Sequence, residues 1–99
     1  MRRVTFTDRA QADLEEIWWY IAQDNPDRAD GFIDELSTVC RLSLASMPTI
    51  GKPCDELLPN LWRLPYRSYL LFYRFGSEHL EVIRVLHGAR QIETLFEDA

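Results

Sequence analysis

The sequence predicts an α+β fold, in which an N-terminal strand and an antiparallel helix hairpin pack on one face of a small, mainly antiparallel sheet in the order β-α-α-β-β-β. Three observations predict it. Two long segments with apolar residues at helical spacing follow a short alternating segment. The link between them, at Asn25-Pro26, is so short that the helices must form a hairpin. Three alternating segments then extend to His87, and a short C-terminal helix or tail is expected over residues 91–96.

The first half of the chain carries one strand and both helices. Apolar and polar residues alternate over residues 2–6, which is typical of a strand. Helix one is predicted over residues 8–23 and helix two over residues 26–47, with Asn25 as N-cap and Pro48 as the stop. The apolar face of helix one contains Ala10, Leu14, Ile17, Trp18 and Ile21.

The second half supplies the sheet. A Pro-rich crossing over residues 48–60 leads to strands over residues 61–66, 69–75 and 80–87. Pro65 cannot donate a ladder hydrogen bond, so the first of these strands is expected to lie at an edge near its end. With a two-residue turn at Arg67-Ser68, one face carries the side chains that should hold the helices: Trp62, Leu64, Tyr66, Tyr69, Leu71, Tyr73 and Phe75.

The opposite face is expected to be apolar in its middle and basic at its edges, which is typical of a binding surface. If the second turn keeps a four-residue register, simple alternation assigns Ile83, Val85 and His87 to it. Arg84 then falls on the core face, where either a bulge turns it outward or a partner pairs with it; both alternatives stay open. The earlier strands contribute Arg63, Leu70, Phe72 and Arg74 to this face.

Composition limits the function classes. A chain of 99 residues with 46% hydrophobic residues is expected to form one domain over residues 1–99. The formal net charge of −5 argues against direct DNA binding through general basicity. Cys40 and Cys54 match neither a disulfide framework nor a metal-ligand spacing, and no segment is long enough to span a membrane, so a cytoplasmic protein without cofactor or metal is expected.

Four segments carry a family resemblance: DLEEIWWYIA in helix one, MPTIGKPCDEL in the crossing, YLLFYRF in the central strand and EVIRVLHGAR at the end. In this order, and over essentially the whole chain, they resemble the RelE/ParE superfamily of bacterial type II toxins. The resemblance implies one of two activities. RelE-like members are ribosome-dependent endoribonucleases, whereas ParE-like members inhibit DNA gyrase without nuclease chemistry.

A ribonuclease of this kind would need a general base, a general acid and cations around one phosphate. The candidate catalytic residues for that activity are Arg63, Arg74, His87 and Arg90. Where the nuclease branch typically carries basic residues, this sequence has Leu61 and Leu70, and Phe96 stands where a C-terminal tyrosine is common. These departures favour the binding-type, non-enzymatic reading.

The ending VLHGAR is typical of the ParE-like branch, and an acidic chain suits a protein target better than a polyanionic ribosome surface. The preferred prediction is therefore a DNA gyrase inhibitor with Arg74, His87 and Arg90 as target-binding residues. A histidine at a strand end can also serve only to hydrogen-bond the backbone, and that alternative stays open.

The resemblance also implies a ParD-like antitoxin whose C-terminal half wraps the toxin. A partner that folds on binding can cover a long apolar track. Trp19 lies off the apolar stripe of helix one, so it is either exposed as an interface anchor or covered by a loop. The candidate antitoxin-binding residues are Trp19, Tyr20, Leu70 and Phe72.

Overall fold

The structure, a computed structural model, describes residues 1–88 and 92–97. Its helices are α1 (Asp8–Ala22), α2 (Pro26–Thr38) and α3 (Ile92–Glu97), and its strands are β1 (Arg3–Phe6), β2 (Lys52–Pro53), β3 (Trp62–Tyr66), β4 (Tyr69–Phe75) and β5 (His79–His87). The sheet has the order β1-β5-β4-β3-β2, with β1 parallel to β5 and the other pairs antiparallel. This confirms the predicted fold class and adds the two-residue strand β2.

Side-chain caps fix the N-terminal ends of both helices of the hairpin. The Thr7 side chain accepts a hydrogen bond of 3.0 Å from the Ala10 amide at the start of α1. The Asn25 side chain accepts one of 3.2 Å from the Arg28 amide at the start of α2, where Pro26 is the first helical residue. These bonds satisfy amides that have no partner inside the helix, so the predicted N-cap at Asn25 is confirmed.

The second helix is not regular to its predicted end. After α2 the chain forms a π-helical turn over Val39–Leu44, in which the Ala45 amide donates to the Cys40 carbonyl five residues earlier. Leu36, Cys40 and Leu44 follow one another at intervals of four residues and are all fully buried, so the inward face of the helix continues through this turn.

The crossing is held against the sheet at one point. The Tyr73 hydroxyl donates a hydrogen bond of 2.5 Å to the Pro48 carbonyl, and burial raises the pKa of Tyr73 to about 12. A side chain at Gly51 would collide with the Tyr73 hydroxyl and the Arg63 carbonyl, so the close approach requires glycine there. Beyond it, β2 pairs with the start of β3 at Arg63 and leaves the Pro65 end of β3 uncovered, as expected.

The sheet has a core on each face. The helix-side core lies between the sheet and the helix hairpin, and its buried members are Val4, Ala10, Ile17, Leu36, Cys40, Leu44, Ala45, Leu71, Tyr73, Leu80, Val82 and Val85. The second core lies between the other face, the crossing and α3, and its buried members are Cys54, Leu61, Phe72, Leu86 and Phe96. None of the helices described is both long and apolar enough to cross a membrane.

Candidate functional site

A bulge in β5 decides which face its last residues occupy. Phe72 pairs with Arg84 but the next residue of β4, Tyr73, pairs with Val82, so Ile83 is extra on the β5 side. An extra residue inverts the alternation of side chains on its strand. The prediction that Val85 lies on the face opposite the helices is therefore wrong, because Val85 belongs to the helix-side core.

The bulge also answers the question about Arg84, whose side chain is only 6% exposed. Its Nε and Nη2 donate hydrogen bonds of 2.8 and 3.0 Å to the two carboxylate oxygens of Asp13 on α1. The same carboxylate accepts a third bond of 2.9 Å from the Val85 amide. These bonds raise the pKa of the Arg84 guanidinium. A bulge is present, but it does not turn Arg84 outward; the second alternative, a partner that pairs with Arg84, is the one that holds.

Sequence reasoning missed Asp13, although a signal existed. Asp13 is three residues after Ala10 and four before Ile17, so it occupies the apolar stripe of α1. A carboxylate on a buried face requires a partner. The unplaced arginine on the facing strand was the matching cation.

His87 also lies on the helix side of the sheet. It pairs in register with Tyr69, and the two rings meet edge to face with centroids 5.3 Å apart. Its predicted position on the opposite face, with Arg63 and Arg74, is wrong for the same reason as that of Val85. Burial, and after it the neighbouring Tyr20, raises the pKa of the Tyr69 hydroxyl.

The Tyr69–His87 pair forms the middle of an open groove, called here the hairpin groove. One part of it, a cavity of about 380 Å³, runs along α1 and is lined by Asp13, Glu16, Ile17, Tyr20, Tyr69, Val85 and His87. The other part, about 650 Å³, runs to α2 and shares Tyr20, Tyr69 and His87. Its further lining residues include Arg28, Gly31, Phe32, Glu35 and Arg67. The groove therefore joins an acidic side at Glu16 to a basic side at Arg28.

Two of the candidate catalytic residues, Arg63 and Arg74, lie on the face of the sheet opposite the helices. Arg63 is exposed and pairs in register with Phe72, and Arg74 donates a hydrogen bond of 3.1 Å from Nε to the Pro59 carbonyl of the crossing. His87 is separated from both by the sheet. Arg90 lies outside the described residues. The structure thus does not bring Arg63, Arg74 and His87 together at one site.

The face of the sheet opposite the helices is not the open surface that the sequence predicted. Phe72 is fully buried, and its ring meets that of Phe96 on α3 with centroids 4.8 Å apart. Leu70 is half-buried against the same second core. The chain's own α3 and crossing therefore cover the apolar patch. Burying an aromatic side chain such as Phe72 stabilises the fold by roughly 1.5–3 kcal/mol. The expected exposure of Phe72 is wrong.

Trp19 and Tyr20 are exposed, with 67% and 71% of their surface accessible. Trp18 packs edge to face against Trp19 at 5.1 Å and donates a hydrogen bond of 2.8 Å from its indole nitrogen to Asp30 on α2. Trp18 therefore links α1 to α2, and the ring of Trp19 packs against Trp18 and is exposed to solvent. The alternative that a loop covers Trp19 is wrong.

The described residues contain no group of three His, Cys, Asp or Glu side chains that could hold a metal ion. Cys40 and Cys54 are both free and buried. Burial raises the pKa of the Cys40 thiol to about 12 and also raises that of Cys54. A thiol held neutral in this way is a poor nucleophile.

Two solved toxin–antitoxin complexes contain chains of this fold. One is the chromosomal ParDE system from Pseudomonas aeruginosa, with a TM-score of 0.71 and 18% identity over 88% of this chain and 96% of that one. The other is the RelBE2 complex from Mycobacterium tuberculosis, with a TM-score of 0.65 and 25% identity over 90% of this chain and 93% of that one. The fold is that of the RelE/ParE toxins.

Comparison with known sequences identifies the family within this fold. The family model for the ParE toxin of type II toxin–antitoxin systems matches residues 4–92. Toxin ParE1 of M. tuberculosis is 35% identical over 98 residues, 92% of this chain and 94% of that protein. Toxin ParE1 of Caulobacter vibrioides is 34% identical, covering 88% of this chain and 90% of that protein. The chain belongs to the ParE toxin family of type II toxin–antitoxin systems.

Proposed function

We propose that this toxin inhibits DNA gyrase by binding it, without nuclease chemistry, and that a ParD-like antitoxin neutralises it in the cytoplasm. The observation that carries the proposal is the separation of the candidate catalytic residues. Arg63 and Arg74 lie on one face of the sheet and His87 on the other. A phosphate held by the two arginines is out of reach of the imidazole.

Cleavage of RNA requires an acid and a base within hydrogen-bond distance of the same reacting group. The second core on this face is built of apolar side chains, and the ionisable groups that act on Cys54 at its edge are Glu56, Arg63 and Asp55, with no histidine among them. Leu61 is fully buried there, and Leu70 is half-buried, at two positions where the nuclease branch carries cations. The net charge of −5 further favours a protein target over the ribosome.

The gyrase contact is proposed at the end of β5, where His87 lies and from which the chain continues to Arg90. Arg74 was predicted as a third member of this contact. It lies on the other face with its Nε bonded to Pro59, so the sheet separates it from a surface that meets His87. The proposal therefore rests on the His87 end of the strand.

An antitoxin partner is supported by the two solved complexes, in which the chains of this fold belong to ParDE and RelBE2 pairs. On this chain the exposed aromatic pair Trp19 and Tyr20 is a suitable anchor, since large exposed aromatics are enriched at binding hot spots. Leu70 and Phe72 can contribute only where α3 leaves their face accessible.

The second candidate function is a RelE-like ribosome-dependent endoribonuclease. It is favoured by Toxin RelE2 of C. vibrioides, which is 33% identical over 91% of this chain and 99% of that protein. In that case Arg63, Arg74 and Arg90 would have to bind the RNA without help from His87. A base and an acid would have to come from other residues.

Induction of the chain in growing cells separates these functions. DNA and protein synthesis are followed together by pulse-labelling, and the cells are examined for gyrase-linked DNA breaks and for cut mRNA. We expect DNA synthesis to fall first, with DNA breaks and intact mRNA. Early loss of translation with cut mRNA would favour the nuclease, and normal growth would indicate a member that retains only antitoxin binding.

A further inference from the structure

Arg67 has a backbone conformation that arginine rarely adopts. Its φ angle is 54°, in the left-handed region where the Cβ of an L-residue is crowded by a neighbouring carbonyl. Among the described residues other than glycine, Asn60 alone shares a positive φ, at 63°, and asparagine tolerates this region better than most residues. The unusual choice is therefore the arginine.

The turn between β3 and β4 does not require an arginine at this position. Tyr66 pairs with Tyr69, so Arg67 and Ser68 form a two-residue hairpin loop. Such loops favour glycine or asparagine where φ is positive, since these residues adopt that conformation at low cost. Glycine at position 67 would keep the turn and relieve the strain. Folding alone therefore gives no reason for the arginine.

The contacts of the Arg67 side chain within the chain are weak. Its Nη2 donates hydrogen bonds of 3.3 Å to both oxygens of the Glu35 carboxylate, and the two side chains are 59% and 56% exposed. The guanidinium carbon lies 5.7 Å from the centre of the Tyr66 ring. Exposed ion pairs contribute little to stability, because water and salt screen them. The Glu35 carboxylate can therefore be exchanged for one on another molecule at little cost.

The turn lies beside the end of β5, where the gyrase contact is proposed. The Gly88 amide donates a hydrogen bond of 2.9 Å to the Ser68 carbonyl, so the residue after His87 is bonded to the turn. Arg67 and His87 also line the same part of the hairpin groove. One target surface can therefore meet the turn and the end of β5 together.

We propose that Arg67 is a further target-binding residue, whose guanidinium leaves Glu35 and binds a carboxylate of DNA gyrase next to the His87 contact. The inference rests on the proposed inhibition of gyrase. Arginine fits this role because its planar guanidinium binds a carboxylate through two parallel hydrogen bonds. The tight turn fixes the backbone that bears the side chain, so less freedom is lost on binding. Strained backbone is typical of such functional positions.

The first test uses Arg67→Gly in a supercoiling assay with purified gyrase, and Asn60→Gly is the matched control. Both residues have positive φ, but Asn60 lies in the crossing, where its amide donates to the Asp55 carboxylate. Arg67→Gly should leave the Tm unchanged or raise it by up to about 4 °C, because glycine relieves the strain. It should nevertheless raise the concentration that halves supercoiling about 10-fold. Asn60→Gly should leave that concentration unchanged.

The second test changes the internal partner and the shape of the cation. Glu35→Gln removes the competing carboxylate and should lower the half-inhibitory concentration about 2- to 5-fold. Arg67→Lys keeps the positive charge without the paired hydrogen bonds, and it should raise that concentration about 3-fold. A higher concentration for Glu35→Gln would show that the intact pair is needed and would overturn the exchange.

The outcomes separate the role of Arg67 from the choice of target. Equal inhibition by wild type and Arg67→Gly would overturn the role of Arg67 and leave gyrase as the target. Failure of the wild-type chain to inhibit gyrase would overturn both. The protein encoded by the reading frame adjacent to this chain's gene, taken as the antitoxin, is titrated in parallel by calorimetry. Loss of that affinity in Arg67→Gly with gyrase inhibition intact would assign Arg67 to the antitoxin and also overturn the proposal.

Discussion

Asp13 holds Arg84 through two hydrogen bonds of 2.8 and 3.0 Å, across 71 residues of sequence and inside the helix-side core. The pair joins α1 to the bulge of β5, and a third bond from the Val85 amide to Asp13 fixes the strand immediately after it. The end of β5 is therefore oriented by α1. With β5 held in this way, His87 lies in the groove beside Tyr69.

Removing one partner of this pair should destabilise the chain strongly. Asp13→Ala leaves the Arg84 guanidinium buried without a counter-ion, and its Nη1 already has no hydrogen-bond partner among the described residues. Breaking a buried ion pair typically costs about 3–5 kcal/mol, so the free energy of unfolding in urea should fall by that amount. A loss below about 1 kcal/mol would contradict the role assigned to the pair.

The double variant Asp13→Leu/Arg84→Met is the control for the ion pair. Two apolar side chains of similar size leave no unpaired charge, so the double variant should be more stable than Asp13→Ala. Because Val85 loses its acceptor, some destabilisation should remain. If the losses of Asp13→Leu and Arg84→Met, each measured alone, add in full in the double variant, Asp13 and Arg84 do not interact as described.

Tyr73 should hold the crossing through its hydroxyl. Tyr73→Phe leaves the Pro48 carbonyl without this donor, and urea unfolding should show a loss of about 1–3 kcal/mol. Tyr20→Phe is the matched control, since Tyr20 is 71% exposed and the same change there should leave stability within about 0.5 kcal/mol. If Tyr73→Phe and Tyr20→Phe changed stability equally, the hydrogen bond from Tyr73 would not hold the crossing.

The same hydroxyl predicts a pH dependence. The pKa of Tyr73 is about 12 in the folded chain, above the ordinary value of 10.0, so the folded state favours the neutral phenol. Its contribution to stability is fully present below pH 10 and is lost as the pH rises toward 12. Absorbance titration at 295 nm should show Tyr73 ionising near pH 12, and that last step should be absent in Tyr73→Phe. Ionisation of every tyrosine near pH 10 in the folded chain would contradict the burial.

Trp19 is proposed as an antitoxin anchor, and truncation should separate binding from stability. Trp19→Ala should weaken antitoxin binding about 10-fold or more, as for a hot-spot aromatic, while the Tm changes little because the side chain is 67% exposed. Leu42→Ala is the control, because Leu42 is also exposed but lies on the π-helical turn. Unchanged affinity of Trp19→Ala in the calorimetric titration would remove Trp19 from the interface.

Much of the fold could be predicted because local chemistry fixes it. The pairings Tyr66–Tyr69 and Phe75–Leu80 follow from the two turns, as expected. The bulge at Ile83 could not be predicted from alternation, since one inserted residue inverts every side chain after it. That single residue accounts for the wrong faces of Val85 and His87.

The sequence did not predict that α3 covers the face of the sheet opposite the helix hairpin, and the reason is different. The C-terminal segment was expected as a helix or a tail, and only a packed helix places Phe96 against Phe72. Whether six residues form a helix depends on tertiary contacts more than on their own propensity. The candidate site is therefore the groove between the helix hairpin and the end of β5, and the face that contains Phe72 is covered.

The most direct test of the central claim uses purified components. The chain is added to DNA gyrase acting on relaxed plasmid and, in a parallel reaction, to ribosomes translating a defined mRNA, with antitoxin added to half of each. The account predicts that supercoiling is inhibited, that the mRNA stays intact and that the antitoxin restores supercoiling. Cleaved mRNA on the ribosome together with unaffected gyrase would contradict it.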